Sequence, residues 1–148
     1  MRFLLVDRIV ALSPGNSIVA TRAIGLDEDY FRDHFPGFPV VPGVLLTEMM
    51  AQAAGKCLNA ERRPRGNAML TRILSASFRQ WVQPGNEVHL HAAMAANTDR
   101  YATAECRAEV DDRVVAQAKL FFSFIPTGEF AADYRDDVLE DYLARHAP

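Results

Sequence analysis

Between Glu87 and Phe124 the chain alternates apolar and polar side chains three times in succession. Val88, Leu90, Ala92 and Met94 alternate with Glu87, His89, His91 and Ala93. Ala102, Ala104, Cys106, Ala108 and Val110 alternate with Tyr101, Thr103, Glu105, Arg107 and Glu109. Ala116, Ala118, Leu120, Phe122 and Phe124 alternate with Gln117, Lys119, Phe121 and Ser123. A period of two sends successive side chains to opposite faces of a strand, so these segments read as antiparallel strands with one buried face. Asn97 to Asp99 and Asp111–Asp112 supply the turns between them. A strand around Met69 to Gln80, closed by Pro84–Gly85, precedes them. Phe3 to Leu12 and Ser17 to Ile24, joined by Pro14-Gly15-Asn16, read as two more at the start of the chain.

A sheet with one apolar face needs a cover, and one long apolar helix is on offer. Val44 to Asn59 contains no proline, and its single internal glycine is Gly55. Such a helix is about 24 Å long, and six strands about 4.8 Å apart make a sheet roughly as wide. Two strands, a helix and four strands thus give an α+β domain of one helix on an antiparallel sheet. The 148 residues make one ordinary domain, and 49% hydrophobic content supplies a core. A net charge of −3 argues against nucleic acid as the main partner. No apolar run approaches the ~20 residues a membrane span needs. Asp7 and Arg8 interrupt the apolar start, which does not read as a signal peptide. Cys57 and Cys106 lack the spacing of a redox or zinc motif, as expected of reduced thiols in the cytoplasm.

The sharper signal lies at the entry to the helix. His34-Phe35-Pro36-Gly37-Phe38-Pro39-Val40-Val41-Pro42-Gly43 leads straight into it. Three prolines fix three φ angles, so His34 hangs on a stiff tether. Glu48 stands inside the apolar run, four residues from Gln52 and therefore on its face of the helix. An enclosed, unpaired carboxyl holds its proton and can serve as a general acid. The structural alternative is a Glu48 that meets an arginine. Gly43 opens the helix, where unpaired N–H groups and the positive dipole end can hold a carbonyl oxygen that gains charge. Histidine, oxyanion donor and acid thus fall within fifteen residues.

The stretch His34-Phe35-Pro36-Gly37-x-Pro39-x-x-Pro42-Gly43-Val44-Leu45, with Glu48-x-Met50-Ala51-Gln52-x-x-Gly55, resembles the signature of the 3-hydroxyacyl-[acyl carrier protein] dehydratases of the FabZ type. Phe3 to Arg8 matches the start of that family, and the resemblance runs from about Arg2 to Phe124. It implies a hot-dog fold, with the central helix wrapped by a six-stranded sheet. It implies a homodimer, often a trimer of dimers, in which His34 and Glu48 of one site come from different protomers. It implies loss of water from 3-hydroxyacyl thioesters on acyl carrier protein, giving trans-2-enoyl thioesters, with no metal or organic cofactor. His34 would be the base, Gly43 the substrate carbonyl's hydrogen-bond donor and Glu48 the acid. The alternatives are a hot-dog thioesterase and a non-catalytic subunit of a heteromeric dehydratase.

Three features depart from the family. Asp33 stands where it usually has glycine; beside His34 it would raise the imidazole's working range if the two side chains met. Leu70 to Ser77 lacks the usual acidic and glycine-containing pattern. Residues 127–148 are an addition to the hot-dog domain of residues 1–126. In that tail Phe130, Tyr134, Val138, Leu139, Tyr142 and Leu143 recur at helical spacing, which predicts an amphipathic helix packed on the domain. His89-x-His91 reads as an exposed strand face and not as a metal site. Arg62, Arg63, Arg65, Arg72 and Arg79 are candidates for docking the acidic carrier protein.

Overall fold

The computed structural model describes residues 1–147; Pro148, the last residue of the predicted tail, lies outside the described residues. The strands are β1 (Arg8–Ser13), β2 (Ser17–Ala23), β3 (Asn67–Phe78), β4 (Glu87–Asn97), β5 (Tyr101–Val110) and β6 (Arg113–Ile125). The helices are α1 (Gly43–Asn59) and α2 (Asp137–Arg145), with short 3-10 turns at Asp29–Arg32 and Thr127–Glu129. All six strands join one antiparallel sheet in the order β1-β2-β4-β5-β6-β3. This is the hot-dog arrangement, with α1 against the apolar face of the sheet.

Alternation decides which face is covered. Val88, Leu90 and Ala92 on β4, Ala102 to Ala108 in steps of two on β5, and Ala116 to Phe122 likewise on β6 are all buried. Register then sets the depth of the seat. Ala102 pairs with Phe122 and Ala104 with Leu120, so the small side chains of β5 lie opposite the large ones of β6. Met49, Met50, Ala53, Ala54 and Cys57 of α1 have no exposed surface at all. Burial of this kind, at about 25 cal/mol per Å² of apolar surface, is the main stabilising contribution.

The two ends of the chain differ from expectation. Strand pairing begins at Arg8, five residues later than predicted. Leu5 and Val6 are nonetheless buried, because the backbone there is held by α1: the Leu5 N–H donates to Gln52 Oε1 at 2.9 Å. Among the described residues of the tail only 137–145 are α-helical. Asp136 accepts from the Leu139 N–H at 3.1 Å and takes an ion pair from Lys56 Nζ at 2.7 Å. A side chain fixed in that way is an N-cap, so the helix starts after it. Leu139 enters the main core, and Val138, Tyr142 and Leu143 pack against it.

Helix α1 is not enclosed all round as its composition suggests. Glu48, Gln52, Gly55 and Asn59 are half-buried along one stripe, and Val44 at its head is 75% exposed. The reason is topological: one curved sheet covers one side of a helix. The stripe remains open within a single chain.

Candidate active site

His34 follows the 3-10 turn at Asp29–Arg32, and its N–H donates to the Tyr30 carbonyl at 3.0 Å. After it the chain reverses. Phe35 N–H donates to Phe38 O at 2.9 Å, and Phe38 N–H returns to Phe35 O at 2.8 Å. Pro36 and Gly37 occupy the centre of that turn, with Gly37 at φ +75°. Proline first and a positive-φ glycine second is the pattern of a type II turn, and a Cβ at Gly37 would be strained. The reversal brings Val40 back beside His34. Val40 N–H donates to the His34 carbonyl at 3.0 Å, and His34 Nδ1 lies 3.0 Å from the Val40 carbonyl. A carbonyl only accepts, so Nδ1 carries the proton and Nε2 of the neutral ring keeps its lone pair. The ring stacks on Phe35 at 4.1 Å. Val40 and Val41 are buried, and Val41 N–H donates to Val82 O at 2.8 Å, which fastens the loop to the body. Asp33 is exposed and makes no bond to His34, so the condition for it to tune the imidazole is not met.

Gly43 is the first residue of α1, after Pro42. Proline offers no side-chain cap, so the N–H of Gly43 has no partner among the described residues. A Cβ on Gly43 would lie 3.0 Å from three ring carbons of Phe78. Glycine here lets the Phe78 ring rest against the helix start.

Glu48 is half-buried, and no arginine among the described residues pairs with it. Its partner is Gln52, whose Nε2 donates to Glu48 Oε1 at 3.2 Å. The same Nε2 donates to Phe3 O at 3.0 Å, while Gln52 Oε1 takes the Leu5 N–H. That last bond fixes which end of the amide faces Glu48, because a backbone N–H needs an oxygen. Gln52 thus orients Glu48, which lines an open cleft. The cleft has a volume of 510 Å³ and runs along α1 beside Phe3, Leu4, Ala51 and Leu70. His34 is not among its walls. One chain therefore brings Glu48 together with Gln52 and the N-terminal segment, and not with His34. Gln52 was visible in sequence as the i+4 neighbour of Glu48 and as a position of the signature; its bonds to the backbone of Phe3 and Leu5 were not.

With this geometry in view, the relatives are informative. Residues 1–119 match the family described as the FabA-like domain. The chain belongs to that family. A 3-hydroxyacyl-[acyl-carrier-protein] dehydratase FabZ of Lactobacillus helveticus is 42% identical over 120 residues, covering 80% of this chain and 81% of the relative. The enzyme of the same name from Deinococcus radiodurans is 38% identical over 121 residues, covering 82% and 83%. Among solved structures, the dehydratase heterocomplex ApeI:P from Xenorhabdus doucetiae superposes with a TM-score of 0.62 at 20% identity, over 76% of this chain and 92% of that one. The smu.793 protein of Streptococcus mutans, bound to acetyl CoA, superposes at 0.65 with 11% identity, over 85% and 94%. At these identities the structural likenesses speak for the fold.

The other sequence candidates are placed as follows. His89 pairs with Glu87 at 3.1 Å and His91 with Glu109 at 3.3 Å. Burial first, then the Arg107 guanidinium, holds His91 below the usual imidazole range. No cluster of three metal-ligating side chains occurs among the described residues. Arg62 pairs with Glu140, Arg63 with Asp99 and Arg65 with Glu61. These three are committed to internal ion pairs, which removes them as free docking charges. Arg72 and Arg79 form no ion pair among the described residues, and Arg79 is exposed on the way out of β3. No helix among the described residues is long and apolar enough to cross a membrane.

Proposed function

We propose that this chain removes water from 3-hydroxyacyl thioesters carried on acyl carrier protein, forming trans-2-enoyl thioesters in fatty acid synthesis or a related acyl pathway. The observation that carries the reading is the His34 Nδ1–Val40 O bond, which leaves Nε2 as a base, in a chain of the FabA-like family. His34 Nε2 takes the proton next to the thioester carbonyl. The Gly43 N–H donates to the carbonyl oxygen as enolate character develops. Glu48, protonated, gives its proton from Oε2 to the departing hydroxyl, and water leaves. Hydroxide is a poor leaving group, so the acid is required; such proton transfer contributes about 10²–10⁴-fold. The chain's own residues supply base, acid and carbonyl hold, without a metal or organic cofactor in the scheme.

The working form is a homodimer whose two sites each combine His34 of one protomer with Glu48 of the other. The absence of His34 from the Glu48 cleft supports this. So does β3, which is paired on one side only and exposes Met69, Ile73, Leu74 and Phe78. A long apolar strand edge invites pairing with another copy. Arg72 and Arg79 remain as docking charges for the acidic carrier protein. Cys57 and Cys106 are both free and buried, in keeping with a cytoplasmic enzyme. Residues 1–126 form the catalytic unit and residues 127–148 its extension.

The test is incubation of the purified protein with a carrier-bound 3-hydroxyacyl thioester and with a saturated one. Enoyl product from the first, and no thiol from the second, is expected. Free thiol from both, without enoyl product, would make the protein a thioesterase.

A further inference from the structure

The Glu48 cleft changes character along its length. Beside Glu48 its walls are Phe3, Leu4 and Ala51; along α1 toward the C-terminal end they become Lys56, Asn59, Tyr134 and Asp136. Tyr134 and Asp136 belong to the tail, beyond the residues that match the family. A second cavity of 480 Å³ lies behind them, and Asn59, Tyr134 and Asp136 line it as well, with Phe130 and Leu139. Tyr134 and Asp136 are therefore a partition between two spaces. The partition is anchored at Asp136, and Tyr134 beside it is 52% exposed. Lys56 and Asp136 are ion-paired at 2.7 Å with side chains only 10% and 12% exposed. The Phe130 ring meets Tyr134 edge to face at 4.9 Å. Leu139 anchors the segment in the core.

We propose that the C-terminal segment sets the length of acyl chain the site accepts, with Tyr134 and the Lys56–Asp136 pair forming the end wall of the acyl cleft. The proposal rests on the dehydratase reading above. A hydrocarbon end pressed against an ion pair takes water from both charges and returns no hydrogen bond, which is unfavourable. Eight residues of helix separate Glu48 from Lys56, a rise of about 12 Å. With carbon–carbon bonds of about 1.5 Å, a staggered chain of roughly nine carbons fills that distance. Counting from the third carbon, where Glu48 acts, acyl chains of about twelve carbons reach the wall.

Two variants open it. Tyr134→Ala joins the two cavities. Lys56→Met with Asp136→Asn replaces the charges and keeps an N-cap at position 136. The experiment compares kcat/KM for sixteen-carbon and eight-carbon 3-hydroxyacyl chains on carrier protein, in the wild type and both variants, each first shown to be folded by its melting curve. The wild type is expected to prefer the shorter chain. Each variant should raise the sixteen-to-eight ratio about tenfold or more, since even one methylene in an apolar pocket is worth about that much. Dehydration of the eight-carbon chain with an unaltered ratio in both variants would overturn the end wall and leave the dehydratase reading standing. Calorimetric binding of saturated acyl-pantetheine amides gives the same comparison without turnover. Affinity that stops rising near twelve carbons in the wild type, and continues to rise in Tyr134→Ala, supports the wall; identical profiles contradict it.

Discussion

Gln52 holds Glu48 from one side and the N-terminal segment from the other: its Nε2 donates to Glu48 Oε1 at 3.2 Å while its Oε1 takes the Leu5 N–H at 2.9 Å. One amide thus connects the orientation of the acid to the docking of the first residues of the chain. Leu5 is 1% exposed, so its N–H has no water to fall back on. In Gln52→Ala that buried donor is orphaned, at a cost of about 1–3 kcal/mol. Thermal melts should show a lower Tm, and turnover should fall as Glu48 loses its guide. Gln52→Glu also fails, since a carboxylate cannot donate to Glu48 or to the Phe3 carbonyl.

Glu48→Gln separates chemistry from stability. The substitution keeps the shape of the side chain and removes the proton donor. Dehydration should drop by about 10²–10⁴-fold, while the melting temperature stays close to that of the wild type, because an amide oxygen can still accept the hydrogen bond from Gln52 Nε2. A variant that unfolds instead would mark Glu48 as a structural residue.

How much of this was legible in the sequence follows from what each signal depends on. Strands β4, β5 and β6 and helix α1 announced themselves because local periodicity and global burial agree there. The motif from His34 to Gly55 was legible because proline, glycine and charge each carry a distinct physical meaning. Three things were not. The start of β1 depends on Gln52, far away in sequence, capturing the Leu5 N–H. The short α2 depends on Lys56 pinning Asp136. The open stripe of α1 depends on how far a single sheet can curve, which composition does not encode. The loss of Arg62, Arg63 and Arg65 to internal ion pairs belongs to the same class: exposure of a charge is a tertiary property.

Lys56→Ala should be costly where the double replacement is not. Removing the ammonium leaves Asp136 largely buried and without its partner, which for pairs of this kind costs about 3–5 kcal/mol. Lys56→Met with Asp136→Asn removes both charges and retains the cap, so its stability should lie close to that of the wild type. Urea unfolding of the three proteins, compared at a common m-value, checks the difference.

Alkaline pH should unfold the protein through its thiols. Burial pushes Cys57 from the free thiol's 9.0 up to about 11, and burial with the nearby Cys57 charge pushes Cys106 up to about 12. Both folded values lie above the unfolded one, so below pH 9 the contribution is complete. It is lost as pH rises from about 9 through about 11 and 12, because the unfolded chain gives up its protons first. Melting temperatures should fall across that range, and neither thiol should react with a disulfide reagent at pH 8 until denaturant is added. Prompt labelling of the folded protein would contradict the burial of both.

The β3 edge gives a separate check on assembly. Ile73→Lys places a charge on an exposed apolar strand edge, where a partner strand would have to bury it. Sedimentation should show a shift toward monomer, and activity should fall with it if, as proposed, each site draws on two chains.

Mixing two inactive variants tests the shared site most directly. A heterodimer of His34→Ala and Glu48→Gln protomers contains one site with both lesions and one site with neither, provided that base and acid come from different chains. Co-expressed and purified by two tags, that heterodimer should recover about half of wild-type turnover, as two separate sites per dimer require. If it remains as inactive as either parent, His34 and Glu48 do not meet across a dimer interface.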